Sequence, residues 1–214
     1  GLITGVISMT GMGERFSDIL IMLSGGSLLP LLFLTMIASL VIGLPLPPVT
    51  CYLILAVIAA PALIKAGVTP MAAHLFVFFF GALGNISPPA APTSFTAAGL
   101  AGTDPMKTTN ITFVYCLPAF FVPYLYVFRN ELLLMGAPLS IVAVIITSFL
   151  GISCMAVAFN GFLLKNTKMF ERFMFLVTGI ALIYPNWMVN VAGFIVAGIL
   201  VLTQLLSVKR QAAV

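Results

Sequence analysis

Gly43-Leu44-Pro45-Leu46-Pro47-Pro48 and Gly84-Asn85-Ile86-Ser87-Pro88-Pro89 decide how this chain is read. Each is a glycine followed shortly by two adjacent prolines, set inside a hydrophobic run. Proline lacks the backbone N–H and disfavours helical geometry in the residue before it. Neither hexapeptide continues an α-helix, although the residues on both sides of each read as helix. The first joins an arm over residues 28–42 to an arm over 49–64, each about 15 residues and short for a full membrane crossing. Two short arms meeting at prolines predict a re-entrant hairpin with its tip at mid-membrane. The second interrupts residues 72–101, whose total length fits one crossing built from two half-helices.

The surroundings explain why a membrane enters the argument. The chain is 62% hydrophobic and 7% charged, with a mean hydropathy of +1.23, against about 25% charged residues in a soluble domain. No charged side chain lies between Asp18 and Lys65, Glu131 and Lys165, or Arg172 and Lys209. Each gap is long enough for a span of about 20 apolar residues. An all-α integral membrane protein follows.

Further along the chain, residues 1–13 read as the tail of a spanning helix. Because Gly1 falls within an apolar stretch, the chain is expected to be the C-terminal portion of a longer protein. Glu14, Arg15 and Asp18 mark an interfacial segment ending at Gly25-Gly26. Residues 104–107 read as a loop, 109–128 as a span, 129–131 as a loop and 138–164 as a span. Residues 173–208 divide into two spans at Tyr184-Pro185-Asn186-Trp187, with Tyr184 and Trp187 as interfacial aromatics. The expected organisation is one segment over 1–128, carrying the hairpin and the broken helix, followed by C-terminal spanning helices over 129–214. With Lys209 and Arg210 cytoplasmic, Lys107, Lys165, Lys168 and Arg172 share their side, while Arg15, Lys65 and Arg129 lie opposite. That distribution follows the positive-inside tendency.

Non-helical backbone at membrane depth is tolerated where it is buried in protein or lines a polar cavity. Broken helices expose carbonyls that coordinate cations and half-helix N-termini that attract anions. Ser87 reads as the N-cap of a half-helix starting at Pro88, with hydroxyls at Thr93, Ser94 and Thr96 just beyond. Asn85 and the Gly84 carbonyl lie where partial negative charge suits sodium. In the hairpin, Thr50 follows the prolines and Gly43 permits close backbone approach. The competing reading is that both proline pairs simply kink ordinary spans.

Other functions find little support. Net charge is +4, but the basic residues flank hydrophobic runs, so no nucleic-acid partner is expected. There is no Ser/His/Asp spacing, HExxH, paired intramembrane aspartate or phosphate loop, and no enzyme is expected. Cys51, Cys116 and Cys154 read as small core residues. His74, the single histidine, reads as interfacial and hydrogen-bonded, with proton coupling as the alternative. Phe76, Phe78, Phe79 and Phe80 read as lipid-facing or packing surface.

The run Gly43–Pro48 with Tyr52 and Ala59-Ala60-Pro61-Ala62-Leu63 resembles the large permease subunit of tripartite ATP-independent periplasmic (TRAP) transporters. So do Ala72-Ala73-His74-Leu75-Phe76-Val77-Phe78, Ile86-Ser87-Pro88-Pro89, and Ala97-Ala98-Gly99-Leu100-Ala101-Gly102-Thr103-Asp104-Pro105-Met106. The opening Gly5-Val6-Ile7-Ser8-Met9-Thr10-Gly11 joins them. The likeness is specific to about residue 128 and looser after it, where Gly151 and Glu171-Arg172 resemble fused permeases serving TAXI-type binding proteins.

The resemblance implies the second of two inverted repeats in an elevator-type, sodium-coupled transporter of the inner membrane. It implies no cofactor beyond sodium as coupling ion. The implied partners are a periplasmic solute-binding protein and small-membrane-subunit helices, fused or separate. The solute would be a small organic molecule, by default a carboxylate. Gly43, Pro45, Gly84, Asn85, Ser87 and Pro88 would surround sodium, mostly through backbone carbonyls, and Pro47, Thr50, Pro89 and Thr93 would face the solute. The chain departs from the family hairpin, which usually reads close to G-M-G-L-P-T-T. Pro45 replaces the second glycine, and Pro48 and Val49 replace the threonines. Gly84 and Asn85 stand for a serine–methionine pair, Ser87 for threonine, and Pro92 is an added proline. Two alternatives stand beside this reading: a secondary transporter of the same superfamily working without a binding protein, and a non-transporting assembly fragment.

Overall fold

The computed structural model describes residues 2–212, without the side chains of 3, 4, 8 and 209–212. Gly1 and the side chains of Lys209 and Arg210, used above for the helix start and the orientation, lie outside the described residues. The described chain is helical, with one isolated bridge between Phe162 and Asn166. It forms two compact units, residues 1–113 and 114–214.

In the first unit, α1 (Leu2–Met9) and α2 (Met12–Leu23) are separated at Gly11, whose φ of 64° is a left-handed conformation that glycine adopts without strain. The hairpin arms are α3 (Leu28–Gly43) and α4 (Pro48–Ile58). They stop and start at the glycine and proline that the sequence marked. The second arm is not continuous to residue 64, as expected above. It breaks at Ala59 and resumes as α5 (Ala60–Lys65).

Pro61 is the cause of that break. It has no N–H to give the Val57 carbonyl four residues back, and the Ala62 N–H turns to Ala59 instead. The freed carbonyls are covered by α2. Ser17 Oγ donates to the Ile58 carbonyl at 3.1 Å, and a Cβ on Gly13 would lie 2.6 Å from the Val57 oxygen. Gly13 and Ser17, four apart on one helical face, are both buried. At the end of α5, Lys65 Nζ donates to Asp18 Oδ1 at 2.8 Å. That hydrogen bond raises the Lys65 pKa above its ordinary value.

The core of this unit is α6 (Pro70–Gly84). Its positions 72, 73, 76, 77, 80, 81 and 84 are buried, a stripe at helical spacing. Against it lie α3, α4 and α5, with Leu31, Leu32, Leu55 and Leu63 almost fully buried. Within the aromatic run, Phe76 and Phe80 are core, with ring centroids 4.9 Å apart, while Phe78 is exposed. The Tyr52 hydroxyl lies 3.4 Å from His74 Nδ1, which gives the histidine a hydrogen-bonded role.

After the second break comes α7 (Pro92–Ala101), then α8 (Pro105–Cys116), which continues through a 3-10 turn, Leu117–Phe121, into α9 (Val122–Phe128). This run begins at Pro105, not at 109 as expected above. Asp104 Oδ1 accepts the Lys107 N–H at 2.7 Å, making Asp104-Pro105 a cap and first-turn proline.

The second unit is led by a helical hairpin, α10 (Pro138–Asn160) and α11 (Met169–Ile183). Gly151 and Gly179 bring the two backbones together: a Cβ on Gly179 would lie 2.8 Å from the Gly151 oxygen. The first of these helices ends at Asn160 and not at 164, because Gly161 turns left-handed at φ 73°. There Arg172 donates Nε to the Ala158 carbonyl at 2.8 Å and Nη2 to the Phe159 carbonyl at 2.6 Å. The expected division near Tyr184 is present, with Tyr184 and Trp187 exposed, but it does not give two spans: α11 is 15 residues long, and only α12 (Trp187–Ala212) after it is long enough to cross. Among the described residues, Pro105–Phe128, Pro138–Asn160 and Trp187–Val208 are long and apolar enough to cross a membrane.

Candidate functional site

The two proline breaks meet across a contact between glycines. A Cβ on Gly84 would lie 2.8 Å from both the Gly43 carbonyl carbon and the Leu40 oxygen. On Gly81 it would meet Cys51 Sγ at 2.8 Å and Leu55 Cδ1 at 3.0 Å. Small residues at such crossings let helix backbones approach closely. The end of α3 is thereby pressed onto the last turns of α6.

Asn85 then ties one break to the other. Its Nδ2 donates to the Gly43 carbonyl at 3.2 Å and to the Leu46 carbonyl at 3.0 Å. The first is the last residue of α3 and the second lies in the break beyond it. The amide orientation is assigned from these partners: the nitrogen faces acceptors. Carbonyls left over at a helix end need partners when shielded from water, and the two hydrogens of one NH2 group supply two.

Ser87 does not cap the second half-helix. Its hydroxyl donates to the Leu83 carbonyl at 2.8 Å and its N–H donates to the Gly84 carbonyl at 3.2 Å. Ser87 therefore extends the closing turn of α6. The second half-helix begins at Pro92, four residues after the expected Pro88, with Ala91 at φ 35° before it. Pro88–Pro89 is a cis peptide. The Thr93 N–H donates to the Asn85 carbonyl at 3.3 Å, so Asn85 contacts α7 as well as the hairpin.

Of the residues expected to surround sodium, Gly43, Gly84 and Asn85 are in direct contact. Ser87 is buried beside them, Pro88 is half-buried and Pro45 is exposed. Pro47, Thr50, Pro89 and Thr93, expected to face the solute, are all exposed. Leu46 and Gly81 complete the neighbourhood, and Ser94 follows Thr93 on α7. Gly81 could have been found from its spacing of three from Gly84, which puts both on one helical face. Ser94 is 3% exposed, and its hydroxyl has no hydrogen-bond partner. The same holds for Thr35 and Ser39, fully buried on α3 at the four-residue spacing that ends at Gly43.

The polar groups here are carbonyl, amide and hydroxyl. Among the described residues no group of three or more His, Cys, Asp or Glu could hold a metal ion. Neutral oxygens suit a hard monovalent cation better than a transition metal.

The family profile described as "Tripartite ATP-independent periplasmic transporter, DctM component" matches residues 1–141. The chain belongs to that family. The DctM match takes in the whole first unit and the helical run Pro105–Phe128. No curated protein and no solved structure matches the chain. DctM membership makes it a permease component of a secondary transport system, in accord with its apolar spanning helices and with the expectation that it is not an enzyme.

Proposed function

We propose that this chain forms the second transport repeat and the C-terminal helices of a sodium-coupled permease that imports a small organic acid. The solute is delivered by a periplasmic binding protein across the inner membrane, and the small-subunit helices, fused or separate, complete the permease. The observation that carries the reading is the junction of the two breaks, where Asn85 Nδ2 reaches the Gly43 and Leu46 carbonyls. The first hairpin arm, α3, is 16 residues long, and the second is α4 and α5, of 11 and 6 residues, joined at Ala59. That is roughly 24 and 27 Å of helix, both short of the roughly 30 Å hydrocarbon core, which supports a re-entrant hairpin.

The proposed sodium ligands are the oxygens of Gly43, Pro45, Gly84, Asn85, Ser87 and Pro88. Sodium supplies the positive charge that draws an anionic solute into a largely neutral site. The exposed Pro47, Thr50, Pro89 and Thr93 are accessible to that solute. The close backbone contact between α3 and α6 supports their moving as one body, as an elevator mechanism requires.

The test is uptake by the complete permease in proteoliposomes, with its binding protein, under an inward sodium gradient. Uptake that collapses when choline replaces sodium is the expected result, and equal uptake in both salts refutes sodium coupling. Omission of the binding protein distinguishes this reading from a permease that works alone.

A further inference from the structure

We propose that the Asn85 side chain is a two-position switch. In one position its NH2 group holds the Gly43 and Leu46 carbonyls, and in the other its Oδ1 joins them around a monovalent cation. The inference rests on the sodium-coupled reading above and assigns the residue that exchanges with the ion.

The geometry supplies the first position. Two carbonyl oxygens lie 3.0 and 3.2 Å from a single atom, Nδ2. They therefore converge on one point, which is also what a cation requires of its ligands. A hard cation of this size holds oxygens at about 2.3–2.6 Å. With both N–H hydrogens pointing at these carbonyls, the amide sets positive charge where a cation would have to approach them.

The second position follows from the chemistry of the amide. A half-turn about the Cβ–Cγ bond exchanges Nδ2 and Oδ1 with almost no change in shape, and this terminal torsion is broad and roughly two-fold. Left by itself, the rotated form sets three oxygens against one another. A positive charge between them turns that repulsion into coordination. Cation entry and amide rotation are thus one event.

The surroundings confine movement to this side chain. Gly43 and Gly84 are in backbone contact, and a Cβ on Gly84 would lie 2.8 Å from the Gly43 carbonyl carbon. The Asn85 backbone is held as well, its N–H donating to the Ala82 carbonyl at 3.2 Å and its carbonyl accepting from Thr93. Asn85 is half-buried.

The experiment is thermal unfolding of the complete permease in detergent at pH 8, in sodium chloride and in choline chloride of equal ionic strength. Wild type should unfold at a higher temperature in sodium. Asn85→Asp loses the NH2 position but keeps an oxygen and adds charge. Its midpoint should fall in choline, and half of its sodium response should be reached at roughly tenfold lower sodium, since ligand charge tunes cation affinity. Asn85→Leu can neither donate nor coordinate and should lose the sodium response. A sodium response in Asn85→Asp equal to that of wild type, or one retained in Asn85→Leu, overturns the switch while leaving sodium coupling intact. No sodium response in wild type overturns the coupled reading and the switch together. Should neither variant fold, wild type carrying 13C-labelled asparagine decides by infrared difference spectroscopy. A sodium-dependent shift of a side-chain amide carbonyl band supports the switch, and an unchanged band overturns it.

Discussion

Gly84 and Gly43 cross at backbone contact: a methyl group on Gly84 would lie 2.8 Å from the Gly43 carbonyl carbon. The neighbour is main chain held in a helix, so it cannot rotate aside. Gly84→Ala should therefore push α3 off α6 and destabilise the permease by about 1–3 kcal/mol, the usual range for overpacking. The Asn85 bonds to the hairpin should weaken with it. Gly99→Ala is the control, because nothing lies within 4 Å of a Cβ at Gly99. Thermal unfolding of both variants in one detergent checks the ranking, which fails if they unfold alike.

Much of this arrangement was legible in the residues, for identifiable reasons. Gly43 and Pro48 end one arm and begin the next because a missing N–H and a restricted preceding residue are local properties. The second break was misread for an equally local reason. Ser87-Pro88 has the form of a cap followed by a first-turn proline, but Ser87 back-bonds to Leu83 and the half-helix waits for Pro92. What permits the delay is Ala91 at φ 35°, a conformation that alanine gives no cause to expect. The Asn85 tie spans 42 residues to Gly43. No spacing rule encodes a contact of that separation. It depends on the glycine crossing that places the breaks together.

The helical hairpin of the second unit gives a graded case. A Cβ on Gly179 would meet the Gly151 oxygen and Met155 Cγ, both at 2.8 Å. On Gly151 the nearest atom is Ile183 Cγ1 at 2.7 Å, a side chain, and the Gly179 oxygen is at 3.0 Å. Gly179→Ala should cost more than Gly151→Ala, within a range of about 1–3 kcal/mol. Comparison of the two unfolding midpoints checks the order, and equal midpoints would show that the close backbone contact does not set the cost.

Arg172 offers a test of geometry apart from charge. Its Nε and Nη2 reach two successive carbonyls at the end of α10, Ala158 and Phe159. A lysine keeps the charge but lacks the planar fork. Arg172→Lys should therefore lose most of what Arg172→Ala loses, about 1.5–3 kcal/mol for hydrogen bonds to a charged group. If lysine restores wild-type unfolding, positive charge at the helix C-terminus is the effective property and the paired bonds are not.

Ser94 separates a cost in stability from a use in transport. Its hydroxyl is buried at 3% exposure and has no hydrogen-bond partner. A buried polar group in that condition costs about 1–3 kcal/mol. Ser94→Ala removes the cost with little change in volume, so the variant should unfold at the same temperature as wild type or a higher one. If the hydroxyl serves the sodium or solute path proposed here, uptake by the same variant should fall, through a higher sodium requirement or a higher KM for solute. Unfolding and uptake measured on one preparation decide the matter. A variant that is more stable and transports normally would make Ser94 an ordinary packing residue. A variant that is less stable would show that its hydroxyl bonds to a group within the protein.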